Sequence, residues 1–174
     1  MKSKQIRMIT HGAILAALYV ALTYLQNWLL PGTTSAAIQF RASEALCILA
    51  LFTPAAIPGL TVGCLLFNIS YAGAMPMDWL IGTAATALAT LMMYRLRRIR
   101  VFRVPLPALL MPAAFNAVFV GSELSVYFQG TSLPLNMLYV AIGELAVLLT
   151  LGVALYFGLT ARGLNRRLFP EEQA

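Results

Sequence analysis

The chain has 174 residues, 60% of them hydrophobic and 10% charged, with a net charge of +6 and a mean hydropathy of +0.81. A soluble domain needs nothing like this apolar content, and the bases fall in separate clusters that carry no nucleic-acid signal. Barrel strands would alternate polar and apolar residues, whereas these apolar runs are continuous, so the composition implies an all-α polytopic membrane protein, one domain over residues 1–174.

About 20 apolar residues cross a bilayer. The first predicted helix covers about residues 10–30 and stops at Pro31-Gly32. Lys2, Lys4 and Arg7 before it, with Ser35-Ala36-Ala37 after it, resemble a cleavable signal. The apolar run from Gly12 to Leu30 exceeds the ~7–15 residues of a signal core, and cleavage would leave an odd number of spans, so a mature helix is expected. A polar loop leads to the second predicted helix, 42–53, whose apolar run at ~1.5 Å per residue covers about half of the hydrocarbon core. Pro54 and Pro58 break the chain. The remaining predicted helices are 58–72, 77–94, 105–124 and 135–160, giving six transmembrane helices.

The bases set the orientation. Lys2, Lys4 and Arg7, then Arg95, Arg97, Arg98, Arg100 and Arg103, then Arg162, Arg166 and Arg167 share one face of a six-helix arrangement, and Arg41 falls on the other. The positive-inside rule then places both termini in the cytoplasm. Four acids lie inside or at the edges of apolar runs: Glu44, Asp78, Glu123 and Glu144; Glu171 and Glu172 are in the tail. The topology turns all four toward the outer side, with Glu44 at the outer start of the second helix and Glu144 ~14 Å below the outer end of the sixth. An ionisable group at membrane depth marks a pathway, a partner or a binding site.

Each constellation has a functional and a structural reading. Arg41 and Glu44, spaced i, i+3, either staple a short helix or line a ligand site. Pro112, Asn116 and Glu123 keep to one stripe of the fifth helix; Asn116 is packing glue or a ligand contact. Asp78, Gly82 and Thr86 repeat the theme on the fourth helix, with Asp78 a helix N-cap or a site residue. Glu144, near Asn136 and Tyr139, lines a pocket or bonds a neighbouring helix as a protonated carboxyl. Trp28, Tyr71, Trp79, Tyr127 and Tyr139 form an interfacial belt from which a planar ligand would recruit stacking partners. Cys47 and Cys64 read as packing residues. Ala13, Ala17 and Ala21, with Gly12 and Ala16 beside them, and the GxxxG of Gly59 and Gly63 let helices approach closely. Phosphate-loop, HExxH and nucleophile-elbow motifs are absent, and His11 stands on the side away from the acids, so the chain is not expected to be an enzyme.

The segment Gln39-Phe40-Arg41-Ala42-Ser43-Glu44-Ala45-Leu46 resembles the QueT family. So do Gly59 to Cys64 with Asn68, Asp78 with Gly82-Thr83 and Thr86, Pro112 with Asn116-Ala117 and Gly121, and Gly143-Glu144. The resemblance covers nearly the whole chain from about Gly12, and Arg-Ala-Ser-Glu is its most specific piece. It implies a substrate-binding S component of an energy-coupling factor (ECF) transporter in the bacterial cytoplasmic membrane, taking up a queuosine precursor, a 7-deazaguanine base. It further implies that the Ala13-Ala17-Ala21 stripe meets a transmembrane coupling subunit linked to two cytoplasmic ATPases, so that ATP is hydrolysed by partners and this chain needs no cofactor.

The expected site follows from that reading. Glu144 or Glu123 takes the guanine-like edge; Glu44 and Arg41 hold the outer loop or close it over the ligand. Asn68 and Asn116 add hydrogen bonds, Asp78 contributes charge, and Tyr71 or Trp79 stacks. The competing readings are an S component for another vitamin or planar heterocycle, a structural or lipid-binding membrane subunit whose basic loop holds anionic lipid, and an intramembrane enzyme.

Overall fold

A computed structural model describes residues 2–34, 38–101, 104–128 and 130–169. Ser35-Ala36-Ala37, Arg103, Glu171 and Glu172 lie outside these residues. The described chain is helical throughout, apart from turns and an isolated bridge between Val101 and Val104. In order, the elements are α1 (Lys2–Leu29), a 3-10 helix (Ala42–Leu51), α2 (Ala56–Ser70), α3 (Asp78–Leu96), α4 (Leu106–Leu109) and α5 (Met111–Tyr127). They continue with α6 (Leu133–Val147), a π-turn (Leu148–Gly152), α7 (Val153–Ala161) and α8 (Leu164–Leu168). Three helical stretches are long and apolar enough to cross a membrane: Lys4–Leu29, Leu106–Tyr127 and Leu133–Ala161.

The second predicted helix is the element that differs most. It is a 3-10 helix, and every residue from Ser43 to Leu51 is buried. At ~2.0 Å per residue its ten residues span ~20 Å rather than the ~15 Å of an α-helix. A helix apolar on all sides belongs in a core, and this one packs against α1, α2, α3, α6 and α7. Where Ile48 meets the last long helix, a Cβ on Gly152 would stand 3.0 Å from its Cδ1, and the helix there widens into the π-turn. The fifth predicted helix begins instead as the short α4 and restarts at Met111, with Pro112 in the first turn of α5, where a proline costs no hydrogen bond. The N-terminal helix starts at Lys2, eight residues before its predicted start, because nothing in 2–9 breaks a helix.

The loop between α1 and the 3-10 helix turns inward. Thr34, Gln39 and Arg41 are buried, and Gln39 places its backbone carbonyl against Gly143 of α6. Its polar groups are met by side chains of α1. Gln26 donates to the Phe40 carbonyl and to Thr33 Oγ1, and its Oε1 accepts from the Ala42 amide. Asn27 Oδ1 accepts from the Thr34 hydroxyl at 2.7 Å. Irregular backbone at membrane depth is tolerated when protein satisfies it in this way.

Lipid tails are as apolar as leucine, so helices in a bilayer associate through close packing. On α1 and α2 that contact is backbone to backbone: a Cβ on Gly59 would lie 2.6 Å from the Gly12 carbonyl oxygen, and one on Gly63 2.9 Å from that of Ala16. Replacing Gly59 with alanine is expected to cost ~1–3 kcal/mol by overpacking. Thermal unfolding in detergent checks this, with Gly158→Ala as the control that loses nothing, because open space surrounds Gly158.

Candidate functional site

Arg41 sits at the inner end of the folded loop and is the only buried base among the described residues. Its Nε donates to the Thr34 carbonyl at 3.1 Å. The charges of Asp78, Glu44, Glu123 and Glu144 are all near enough to act on the guanidinium, although among the described residues no ion pair joins it to any of them. The four acids scattered through the sequence therefore converge on one cation, and all are buried, Glu123 to 1% exposure and Glu144 to 2%.

Glu44 is not engaged as expected. Its Oε1 accepts from the Tyr19 hydroxyl at 2.5 Å and its Oε2 from the Cys47 thiol at 3.2 Å. Residues three apart eclipse on a 3-10 helix, which is why Cys47 stands over Glu44. Among the described residues no hydrogen bond or ion pair joins Arg41 to Glu44; their attraction acts over a longer distance. Nor is Glu44 near the end of the bundle. Tyr19 lies ten residues before the end of α1, ~15 Å along its axis, and Glu44 is near enough to Glu144 for the two carboxyls to interact.

Asp78 does not cap its helix. Its Oδ2 accepts from the Met75 amide at 2.7 Å, closing the turn before α3. Asn68 Nδ2 donates to the Asp78 carbonyl at 2.9 Å, tying α2 to the start of α3. Asn116 Nδ2 donates to Glu144 Oε1 at 2.9 Å, joining α5 to α6. Glu123, two turns along α5 from Asn116, faces Asp78.

After these bonds are assigned, five buried side-chain atoms among the described residues lack a hydrogen-bonding partner: Asn68 Oδ1, Thr83 Oγ1, both oxygens of Glu123 and Glu144 Oε2. Folded proteins pair the great majority of such atoms, and an exception needs a reason. Here four of the five atoms belong to Asn68, Glu123 and Glu144, on α2, α5 and α6. Each can accept a hydrogen bond, and none of the five is a cationic donor. The region presents hydrogen-bond acceptors that N–H groups could satisfy.

Beside it, Asn68, Tyr71 and Trp79 share the wall of a shallow cavity of about 450 Å³. The two aromatics differ in freedom. Tyr71 is stacked on Phe67, with ring centroids 5.1 Å apart, and also meets Tyr24. Trp79 is 49% exposed and has room to cover a planar group. Ala13, Ala17 and Ala21 lie along a separate apolar groove between α1 and α2, which with Val62 and Leu66 encloses about 520 Å³.

Sequence reasoning missed Tyr19, Thr23, Gln26 and Asn27, which hold Glu44 and the loop. The signal was there: positions 19, 23, 26 and 27 fall on one face of a helix, a polar stripe opposite the alanines.

Compared with curated proteins and with solved structures, the chain has no significant match to either. The family model described as QueT transporter matches residues 9–161, a stretch that contains Arg41, Glu44, Asn68, Asp78, Asn116, Glu123 and Glu144. By that match the chain belongs to the QueT transporter family.

Proposed function

We propose that this chain is the substrate-capture S component of an ECF importer and that it binds a 7-deazaguanine queuosine precursor among Glu123, Glu144 and their neighbours. The observation that carries the reading is the set of unpaired buried acceptors around Arg41. A guanine-like edge offers two adjacent N–H donors and a carbonyl. Glu123, whose oxygens meet no amide or hydroxyl donor and stand beside the Asp78 carboxyl, can accept the paired donors bidentately. Glu144 has one oxygen held by Asn116 and one free, which suits a single further donor. Arg41 serves the ligand carbonyl, and Trp79 covers the ring face.

Charge supports the same chemistry. Four acidic side chains stand around one guanidinium, and a ligand carrying N–H donors or a cationic substituent would find acceptors among them. The arginine clusters orient the chain with both termini in the cytoplasm and six crossings, so the folded loop and the acids open toward the outside. In this orientation the α1–α2 groove with Ala13, Ala17 and Ala21 runs along the lipid-facing flank, and we assign it to the coupling subunit, which carries the link to the two ATPases.

The test is a thermal-stabilisation screen of the purified protein against 7-cyano- and 7-aminomethyl-7-deazaguanine, the mature base, guanine and unrelated vitamins. A ligand present at a hundred times its Kd stabilises by ~2.7 kcal/mol, a readily measured shift. Stabilisation by a deazaguanine and not by guanine-unrelated vitamins is the expected result. A shift with another vitamin alone would move the cargo elsewhere. No shift with any ligand, in a protein that purifies stably by itself, would favour a structural subunit.

A further inference from the structure

At the end of the bundle opposite the acids, a second cavity of about 390 Å³ lies where the 3-10 helix ends. Its charged wall is Arg97, Arg98 and Arg100 from the segment after α3 and Arg166 from α8. Gly163, at φ 61°, provides the left-handed turn that sends α8 back toward this cavity. The floor is Phe52 and Tyr156, whose rings stack with centroids 5.8 Å apart. Arg97 is fixed in place: its guanidinium donates to the Tyr94 carbonyl at 2.6 Å and lies 3.7 Å over the Tyr94 ring. Among the described residues no acid lines the cavity, and no hydrogen bond or ion pair occupies the guanidinium groups of Arg98, Arg100 and Arg166.

From this geometry we infer a binding site for a phosphate or phosphodiester anion. Guanidinium forks match phosphate oxygens bidentately, and arginines from chain segments more than sixty residues apart converge on one concave surface. Plain positive-inside charge needs no cavity and no aromatic floor. The surroundings favour a lipid headgroup over a free phosphate. Ile99, Val101 and Leu168, next to the arginines in sequence, are exposed apolar side chains of the kind that lie against acyl chains at an interface. Juxtamembrane basic residues attract anionic headgroups.

Native mass spectrometry of the full chain in detergent, titrated with phosphatidylglycerol and with phosphatidylcholine of the same acyl chains, tests the site. Phosphatidylglycerol is expected to bind at least fivefold more tightly. The triple variant Arg98→Gln, Arg100→Gln, Arg166→Gln is expected to lose that preference, while Arg95→Gln, Arg162→Gln, Arg167→Gln, with the same loss of charge outside the cavity, keeps it. The lysine version of the cavity triple retains the charge but not the fork, and intermediate affinity is expected. Competition with inorganic phosphate and glycerol 3-phosphate separates the sources: displacement at millimolar concentration assigns the site to a free phosphate, and no displacement assigns it to lipid. Equal losses in the two glutamine triples, a lysine triple that binds like the parent, or equal binding of the two lipids would each overturn the proposal. These substitutions are at exposed side chains, and unfolding midpoints within a few degrees of the parent confirm that the variants are folded.

Discussion

Glu144→Gln and Glu123→Gln are each expected to weaken deazaguanine binding by roughly tenfold to a hundredfold, the worth of ~1.5–3 kcal/mol for hydrogen bonds to a charged group. Without ligand, neither variant is expected to lose stability. Glutamine keeps the Oε1 acceptor that Asn116 uses at position 144, and a neutral amide is less costly to bury than a carboxylate with an unpaired oxygen. The structural alternative makes the opposite forecast. If Glu144 were only packing glue between α5 and α6, Glu144→Gln would leave any ligand affinity alone, and only Glu144→Leu, which removes the acceptor, would lower the unfolding midpoint. Calorimetric titration and thermal unfolding of the same samples separate the two. Full affinity in both variants would remove these carboxylates from the site. At Glu123 the loss is expected to be the larger, since neither of its oxygens meets an amide or hydroxyl donor within the protein and a bidentate contact is broken.

Helices were legible in the sequence where apolar runs were long and punctuated. The last predicted helix, 135–160, corresponds to a continuous stretch, Leu133–Ala161, because prolines and polar residues bound it on the loop side and arginines beyond it. The π-turn within that stretch was not legible, since it answers to Ile48 of a distant element. The run at 42–51 was visible as apolar but not as a 3-10 helix, because periodicity cannot be read from a segment buried on every side.

The site was legible by residue type and not by pairing. Rare acids in apolar runs stand out whatever the fold, and all four do converge. Which groups they bond is a matter of long-range geometry. Glu44 looked like a partner for Arg41 because the two are close in sequence, yet its hydroxyl donor comes from α1, twenty-five residues away. Asp78 looked like a cap because it begins a helix, and it instead bonds backward to Met75. The inward fold of the loop had no sequence signature except the polar stripe on α1. That stripe makes sense only once a backbone needing partners is placed against it.

The folded loop also makes Gly143 a sharp test of how the cation reaches the acids. A Cβ at this position would stand 2.1 Å from the Gln39 carbonyl oxygen and 2.9 Å from its carbon, well inside contact distance. Because the obstacle is backbone, no rotamer change relieves it, and Gly143→Ala must displace the loop from α6. Arg41 is two residues from Gln39 in the same loop, so the guanidinium moves with it, and the four carboxylates lose the charge that balances them. Helix content is expected to be unchanged, since alanine favours the helix by about 1 kcal/mol over glycine. Ligand affinity is expected to fall at least tenfold, and the loop is expected to become sensitive to protease at 31–41. Limited proteolysis, circular dichroism and calorimetric titration on one preparation read the three effects together. Arg41→Lys supplies the comparison: it leaves the loop seated and keeps the charge, so its proteolysis pattern should match the parent while its affinity falls through the lost guanidinium fork. A Gly143→Ala protein with parental affinity and an uncut loop would show that the contact between Gln39 and Gly143 does not hold the site together.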